Sequence, residues 1–375
     1  MDKIQMVDLN SQYMRIKTEV DKAVKTVIDS SAFINGKQVT SFAENLARYN
    51  AVKHVQTCGN GTDALQIAFM SLGLKAGDEV IVPVHTYVAT AEVIALLGLK
   101  PVFVDCLPDL FSIDVSKIEA AITSKTRAVV PVHLYGQCAD MQSILEITNK
   151  YSLFVVEDAA QAIGAEYSFS DGSVSKAGTM GDIGITSFFP SKNLGCFGDG
   201  GALFINDDNL AEKARMIANH GQSKKYHHDV IGCNSRLDTI QAAILDVKLK
   251  YLDEYSEARN SLANFYDMAL SDIDAVEIPK RAEYSSHVFH QYTIKVLNGK
   301  RDAIKDALAE KGIPSMIYYP IPLHLQKAYV QEDSPEGIFP ITESLAGEVL
   351  SLPMHTEMND ETRTFIVQTL IDILK

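Results

Sequence analysis

Residues 79–105, EVIVPVHTYVATAEVIALLGLKPVFVD, begin and end with short apolar runs and carry a helical pattern between them. We therefore predict a strand over Glu79–Pro83, a helix over Ala89–Leu97 and a strand over Pro101–Asp105. Both strands are apolar throughout rather than alternating, which is typical of strands buried on both faces of a parallel sheet. The segment thus predicts one β–α–β unit.

The same alternation of strands and helices extends on both sides of this unit. Further predicted strands are His54–Thr57, Ala128–Val132 and Leu153–Asp158, and further predicted helices are Ala64–Leu72, Ile118–Ile122, Met141–Lys150, Leu210–Ala218 and Thr239–Leu252. This order predicts an α/β fold with a mainly parallel central sheet and flanking helices.

The pattern changes beyond about residue 250. We predict a long helix over Tyr255–Leu270, followed by the strand His290–Val296, the helix Arg301–Lys311, the strand Ser315–Tyr319 and the helix Glu361–Leu374. The chain is therefore expected to form a large domain over residues 1–250 and a smaller C-terminal α+β domain over residues 251–375. The segment of about 30 residues at the N-terminus is a candidate to pack on the smaller domain.

The composition is that of an ordinary soluble globular protein, with 46% hydrophobic and 22% charged residues. The formal net charge of -14 argues against a nucleic-acid-binding surface. Five cysteines without a C-x-x-C pair predict free thiols and neither disulfides nor a metal site. The N-terminus lacks the apolar core of a signal peptide, and no apolar run approaches the roughly 20 residues of a membrane span. A cytoplasmic enzyme without a membrane partner fits these features.

The segment Cys58–Asp63, CGNGTD, follows a predicted strand and opens a predicted helix. Glycines let the backbone approach an anion closely, and the first N–H groups of a helix favour a phosphate. A helix N-cap by Asn60 or Thr62 explains the same residues. The Walker and G-x-G-x-x-G fingerprints of nucleotide triphosphate and dinucleotide sites are missing.

Two charged residues stand at the ends of apolar strands. Asp158 ends one strand, and strand alternation directs the neighbouring Glu157 to the other side. Such an acid either caps the strand or faces a cationic group, as in enzymes where an aspartate pairs with the pyridine nitrogen of pyridoxal phosphate. Lys192 follows ITSFFPS, and is either a surface lysine of a turn or a desolvated amine that reacts with carbonyls. The phosphate cradle, the acid and the lysine together are the parts that pyridoxal phosphate requires.

At this point the chain resembles the DegT/DnrJ/EryC/StrS family of nucleotide-sugar aminotransferases, which are fold-type I enzymes of pyridoxal phosphate. The resemblance rests on motifs that occur in order along almost the whole chain: GNGTDALQ, PVHTYVATA, PVHLYGQCADM, VVEDAAQAIGA, SFFPSKNLGCFGDGGA, HGQSKKYHH and GCNSRLDTIQAA. The chain looks most similar to enzymes that aminate 3-keto sugars linked to UDP or dTDP, particularly the UDP-2-acetamido-3-keto-glucuronate aminotransferases.

The resemblance implies roles for the residues around the cofactor ring. Lys192 would carry the cofactor as a Schiff base and then move the proton between the substrate carbon and the cofactor. Asp158 would hold the pyridinium nitrogen, Gln161 would contact the ring hydroxyl, and Tyr87 would stack on the ring. Packing alone also explains a tyrosine at position 87.

The resemblance also implies how the cofactor phosphate is held. Gly61, Thr62 and Ser187 would bind it within one chain, and Asn234 would reach the phosphate of the neighbouring subunit. The enzyme would then be a homodimer with shared active sites.

Six positions are candidate substrate contacts: His133, Lys224, Lys225, Arg236, Tyr318 and Tyr319. The two lysines either bind the sugar pyrophosphate or form an exposed basic loop, and the arginine binds a sugar carboxylate or a structural acid. His133 is either a core histidine or part of the sugar pocket. Tyr318 stands where the keto-glucuronate enzymes often carry histidine, which leaves a neutral deoxy sugar open.

The expected reaction is a ping-pong transamination from L-glutamate, through pyridoxamine phosphate, to a ketosugar nucleotide in polysaccharide or amino-sugar biosynthesis. Amination at C4 rather than C3 is an alternative. Sugar dehydratases of the family carry histidine in place of the lysine, so Lys192 argues against that activity. A non-catalytic sensor that binds pyridoxal phosphate is a further alternative.

Overall fold

A seven-stranded sheet forms the centre of the protein in the computed structural model, which describes residues 3–329 and 335–375. Its strands lie in the spatial order β1-β9-β8-β5-β4-β2-β3, and β9 is antiparallel to its two neighbours while the other pairs are parallel. The strands of the described residues are β1 His54–Cys58, β2 Glu79–Pro83, β3 Lys100–Val104, β4 Thr126–Val129, β5 Phe154–Asp158, β6 Glu166–Ser168, β7 Val174–Lys176, β8 Ile183–Ser187, β9 Gly201–Ile205, β10 Gln222–Lys224, β11 His227–His228, β12 Val276–Glu277, β13 Tyr292–Val296 and β14 Val349–Leu352. The predicted α/β fold with a mainly parallel sheet is confirmed.

Helices flank this sheet and form most of the remaining structure. They are α1 Leu9–Ser30, α2 Lys37–Asn50, α3 Gly61–Leu72, α4 Ala89–Leu96, α5 Ile118–Ala121, α6 Met141–Tyr151, α7 Asp208–Ala218, α8 Thr239–Leu249, α9 Leu252–Leu270, α10 Arg301–Glu310, α11 Pro340–Glu348 and α12 Asp360–Leu374. None of the helices in the described ranges is long and apolar enough to cross a membrane.

The apolar strands are buried on both faces, as their sequences predict. In β2, Val80 and Val82 pack into one hydrophobic cluster, whereas Ile81 between them packs into another. Alternate side chains of a strand point to opposite faces, so a strand that is apolar at every position needs helices on both sides. The two layers of helices therefore follow from the composition of the strands.

A second hydrophobic core forms around the antiparallel sheet β12-β13-β14. The C-terminal half of α9 packs there together with α10 and α12, and Ile4 from the N-terminus joins the same cluster. Further along the N-terminal segment, Ile16 and Val20 of α1 instead pack on α8. The division of the chain into domains at residues 250 and 251 stays a prediction.

Three predicted element bounds are wrong. The segment Ser315–Tyr319 is not a strand and has only one bridge, from Met316 to Ser351. Proline lacks the N–H that a strand needs, and Pro314 and Pro320 flank this segment. Because Pro131 also lacks the N–H, the end of the predicted strand Ala128–Val132 lies outside β4, which ends at Val129. The predicted helix Thr239–Leu252 is split, since α8 ends at Leu249 and α9 begins at Leu252.

Candidate active site

The predicted site residues lie at the carboxyl edge of the central sheet. Asp158 is the last residue of β5, and Ser187 is the last residue of the neighbouring β8. Gly61 begins α3 directly after β1, and Lys192 follows β8 by five residues. Parallel strands end at one edge of a sheet, so the fold brings together residues that are far apart in sequence.

The N-terminus of α3 has the geometry of a phosphate cradle. The Asn60 side chain caps the helix by accepting the amide of Asp63 at 2.8 Å, which confirms the N-cap interpretation. The amides of Gly61 and Thr62 lie in the first turn, where helical geometry supplies no acceptor. A Cβ atom on Gly61 would come within 2.9 Å of the Ser187 Cβ atom. Only glycine therefore lets α3 approach the end of β8 this closely.

Asp158 is a buried carboxylate, with 7% of its surface exposed. Its Oδ2 accepts a hydrogen bond from the Thr90 hydroxyl at 2.8 Å, and its Oδ1 accepts the Ala160 amide at 3.1 Å. These two donors hold the carboxylate in one orientation. Because a buried charge needs compensation, the negative carboxylate offers a cationic ligand group a fixed partner.

Glu157 points to the opposite side of β5 and is fully buried there. Its Oε2 lies 2.9 Å from the Nε2 atom of His133 and also accepts the Gly178 amide at 2.9 Å. The other ring nitrogen of His133 accepts the Ala139 amide at 3.2 Å. With 0% exposure and both ring nitrogens in use, His133 is a core histidine. His133 thus lies on the Glu157 side of β5, and its contact with the sugar stays a prediction.

Lys192 is partly buried, and its amine lies within the electrostatic influence of Asp158. Desolvation lowers the pKa of Lys192 to about 8, although the Asp158 carboxylate acts in the opposite direction. A lysine amine is nucleophilic only when neutral, so this lowering makes a reactive amine available near neutral pH. Such an environment is typical of a lysine that forms an imine with a carbonyl group.

Four of the predicted side chains form a polar and aromatic wall beside this edge. Gln161 accepts the Tyr135 amide at 2.8 Å through Oε1 and donates to the Tyr319 hydroxyl at 3.3 Å through Nε2. The rings of Tyr319 and Tyr87 lie 6.0 Å apart, and the Tyr318 ring lies 5.8 Å from that of Tyr319. Tyr87 is 56% exposed, so its face is open to a ligand.

Three residues at this edge do not figure in the sequence prediction. Thr90 orients Asp158, the Tyr135 hydroxyl donates to the carbonyl of Tyr318, and the buried His85 ring lies 3.2 Å from the Tyr135 hydroxyl. Burial lowers the pKa of His85 to about 4, so its imidazole is neutral at physiological pH. The motifs HTYVATA and HLYGQ contain all three, but a single sequence does not show which polar side chains face inward.

The four remaining predicted residues lie in the segment between α7 and α8. Lys224 and Lys225 are exposed on the hairpin of β10 and β11, and the Lys225 amine lies over the ring of Tyr226. Asn234 is exposed, whereas Arg236 lines a cavity of about 400 Å³ beside β1. Within one chain, none of the four has a described hydrogen bond or ion pair with Lys192 or Asp158. Their binding roles stay predictions.

The residues at the sheet edge fit pyridoxal phosphate. The glycine at position 61 lets the first turn of α3, whose amides can bind an anion, lie directly against Ser187. The Asp158 carboxylate suits a protonated ring nitrogen, and the Lys192 amine suits an aldehyde. A site with these three parts, at the carboxyl edge of a mainly parallel seven-stranded sheet, is typical of fold-type I enzymes of pyridoxal phosphate.

The comparison with known proteins specifies the family. Residues 14–371 match the DegT/DnrJ/EryC1/StrS aminotransferase family, and the chain belongs to it. The predictions of the family, of the aminotransferase class and of pyridoxal phosphate as cofactor are thereby confirmed.

Several relatives match over nearly their whole length. The chain is 46% identical to a "Pleiotropic regulatory protein" of Geobacillus stearothermophilus, covering 99% of both chains. It is 43% identical to the UDP-2-acetamido-2-deoxy-3-oxo-D-glucuronate aminotransferase of Pseudomonas aeruginosa, covering 98% of this chain and 99% of that one. Among solved structures, S. venezuelae DesV in complex with a ketimine intermediate has a TM-score of 0.95 at 38% identity, over 100% of this chain and 99% of that chain.

Proposed function

We propose that the protein transfers the amino group of L-glutamate to the keto carbon of a UDP- or dTDP-linked 3-keto-hexose. The product would serve the biosynthesis of amino sugars or cell-surface polysaccharides. The observation that carries the proposal is the desolvated amine of Lys192 beside the fixed carboxylate of Asp158. The relative from Pseudomonas aeruginosa, which is named for a 3-oxo sugar, supports C3 as the position of amination.

The chain's own residues divide the work of such a transfer. When bound, pyridoxal phosphate supplies an electron sink that stabilises negative charge on the carbon next to the amine. The amides of Gly61 and Thr62, together with Ser187, would hold the phosphate, and Gln161 would hold the ring hydroxyl. The Asp158 carboxylate would accept a hydrogen bond from the protonated ring nitrogen and so favour the protonated form of the ring.

Lys192 would move the proton that the reaction requires. Its amine would take the proton from the substrate carbon as a general base and deliver it to the carbon on the other side of the transferred nitrogen. A pKa of about 8 suits both directions, because the neutral and the charged amine are both accessible near neutral pH. Tyr87 and Tyr319 would cover the site on one side and orient the sugar ring.

Lys192→Ala tests the core of this proposal. The variant should lose the visible absorbance that arises when the lysine is joined to the cofactor, together with all turnover. Asp182→Ala provides a matched control, because Asp182 is another acid at a strand end but binds the Val155 amide at the opposite edge of the sheet. A Lys192→Ala enzyme with full activity would contradict the proposal.

We further propose a homodimer in which each active site uses residues of both subunits. Asn234 is exposed and follows Tyr226 and Ile231, which are 80% and 85% exposed. Large apolar side chains at such exposure are costly in water and are typical of a subunit interface. Complementation tests the idea, since a mixture of Lys192→Ala and Asn234→Ala proteins should regain activity through hybrid dimers with one intact site. A mixture as inactive as its components would contradict shared sites.

The substrate is best identified with a panel of UDP- and dTDP-linked 3-keto and 4-keto sugars, each offered with glutamate. Turnover of only the 4-keto sugars would favour amination at C4.

The name of the relative from Geobacillus stearothermophilus favours a regulatory protein as the second candidate. A visible spectrum typical of bound pyridoxal phosphate without turnover on the whole panel would favour that alternative. We propose the cytoplasm as the compartment, in line with the five free cysteines.

A further inference from the structure

The Ser235 side chain lies against the loop at the start of α3. Its hydroxyl oxygen accepts the Gly59 amide at 2.9 Å, and its proton is donated to the Asp63 Oδ2 atom at 2.6 Å. Ser235 is 1% exposed, so both hydrogen bonds are shielded from water. The hydroxyl therefore joins the two ends of the loop 59–63, which contains two residues predicted to bind the cofactor phosphate.

Ser235 is itself held in place by the end of α7. Its amide donates to the carbonyl of Ala218 at 3.0 Å, and the Cys233 amide donates to the carbonyl of Ile217 at 2.8 Å. Ile217 and Ala218 pack in one hydrophobic cluster with side chains of α3. The serine is thus fixed relative to α3, and its hydroxyl is a rigid support for the loop.

Asp63 is the third residue of α3, a position from which an acidic side chain can reach back to the free amides at the start of a helix. A carboxylate bound there would compete with a phosphate for the same amides. Among the described residues, however, the Asp63 carboxylate accepts a hydrogen bond only from the Ser235 hydroxyl. A Cβ atom on Gly59 would lie 2.8 Å from the Asp63 Oδ2 atom, so the glycine leaves room for the carboxylate on this side. The amides of Gly61 and Thr62 are thus left free of it.

We propose that Ser235 is a positioning residue for the cofactor phosphate, because its hydroxyl holds the Asp63 carboxylate away from the amides of Gly61 and Thr62. The inference rests on the phosphate site of the proposed function. Without the hydroxyl, the carboxylate would lose its donor, and the first amides of its own helix could replace it. Asp63 would then be an internal anion that competes with the phosphate.

The test compares the binding of pyridoxal phosphate and of pyridoxal to the full-length protein in absorbance titrations. Both compounds carry the aldehyde that would join Lys192, but only the first carries a phosphate. Ser235→Ala should weaken the binding of pyridoxal phosphate about tenfold, in line with the loss of a hydrogen bond to a charged group. The affinity for pyridoxal should be unchanged. An unchanged affinity for pyridoxal phosphate, or an equal loss for both compounds, would overturn the inference.

A double-mutant cycle tests the part assigned to Asp63. Adding Asp63→Ala to Ser235→Ala removes the competing carboxylate, so the double variant should bind pyridoxal phosphate at least about threefold more tightly than Ser235→Ala. In the parent background the gain from Asp63→Ala should be smaller, because the hydroxyl already holds the carboxylate. The general repulsion between an acid and a phosphate acts in both backgrounds and cancels in the cycle. An equal gain in the two backgrounds would contradict the role of Ser235.

Ser71→Ala is the matched control. Ser71 lies near the other end of α3, is fully buried, and donates its hydroxyl to the carbonyl of Ile67 at 2.6 Å. Its replacement should leave the affinities for both compounds unchanged, and a loss equal to that in Ser235→Ala would overturn the inference. If Ser235→Ala does not fold, Ser235→Cys replaces the hydroxyl by a weaker thiol donor and should show the same selective loss.

None of these results would touch the proposed function, which fails if Lys192→Ala retains activity. The titrations separate the two questions, because they need neither a sugar substrate nor turnover.

Discussion

Replacing Lys192 by methionine should stabilise the cofactor-free protein, because the native amine lies where its charge is disfavoured. Burial lowers the pKa of Lys192 from its usual 10.5 to about 8, even with Asp158 nearby. At about 1.4 kcal/mol per pKa unit this corresponds to about 3 kcal/mol of stability lost at pH 7. Since part of the side chain keeps its hydration, we expect Lys192→Met to raise the free energy of unfolding by about 2 kcal/mol.

The gain should depend on pH with a defined sign. Below about pH 8 the folded and the unfolded protein both carry the proton, so the cost of the buried charge is fully present. Between this pH and 10.5 the folded protein has already released its proton while the unfolded protein still binds it. The stability of the parent therefore rises across this window, and the advantage of Lys192→Met should shrink to that of a simple apolar substitution.

Urea denaturation of the two cofactor-free proteins, followed by circular dichroism at pH 7 and at pH 10, measures this difference. Lys248→Met is the matched control, because burial lowers the pKa of Lys248 to about 8 as well. The Lys248 amine, however, donates to the carbonyl of Gly195 at 2.5 Å, and its loss would leave a buried acceptor without a partner. We expect no gain from that variant. A Lys192→Met protein no more stable than the parent at pH 7 would refute the reasoning.

Three further predictions concern the surroundings of the site. Gly61→Ala should weaken the binding of pyridoxal phosphate at least about tenfold in an absorbance titration, because its Cβ atom would collide with Ser187 at 2.9 Å. Glu157→Gln should destabilise the protein by about 3 kcal/mol in urea denaturation, since it removes the buried charge that pairs with His133 and three backbone amides. Asp105→Ala should lower the free energy of unfolding by about 1 to 2 kcal/mol in the same assay, because the Asp105 carboxylate accepts hydrogen bonds from the first amides of α11.

Each of these variants has a control. Gly347→Ala adds a Cβ atom with nothing within 4 Å and should leave cofactor affinity unchanged. Asp272→Ala removes an exposed acid and should change stability by less than about 0.5 kcal/mol. Gly61→Ala protein with the parent affinity would show that the close approach of α3 and β8 is unnecessary. Unfolding curves of Glu157→Gln or Asp105→Ala that overlay the parent curve would contradict the roles assigned to those carboxylates.

The sequence alone determines much of this protein because its signals are local. Apolar runs such as Glu79–Pro83 predict buried strands, and the order of strands and helices predicts the sheet that the structure shows. Glu157 and Asp158 point to opposite sides, as the two-residue period of a strand requires. The lysine after β8 and the glycines at the start of α3 could also be recognised, since the motifs around them are contiguous in sequence.

Only the tertiary structure decided which polar residues face which side of the site. His133 belongs to the core because it lies on the Glu157 side of β5, a consequence of register between strands and not of its own sequence context. Thr90 reaches the site from a segment about 70 residues from Asp158, through a contact that no local pattern encodes. The lowered pKa of Lys192 likewise has its origin in burial by the folded chain. Long-range packing sets hydration and distance, and these decide whether a lysine at the end of a strand is a surface residue or a reactive amine.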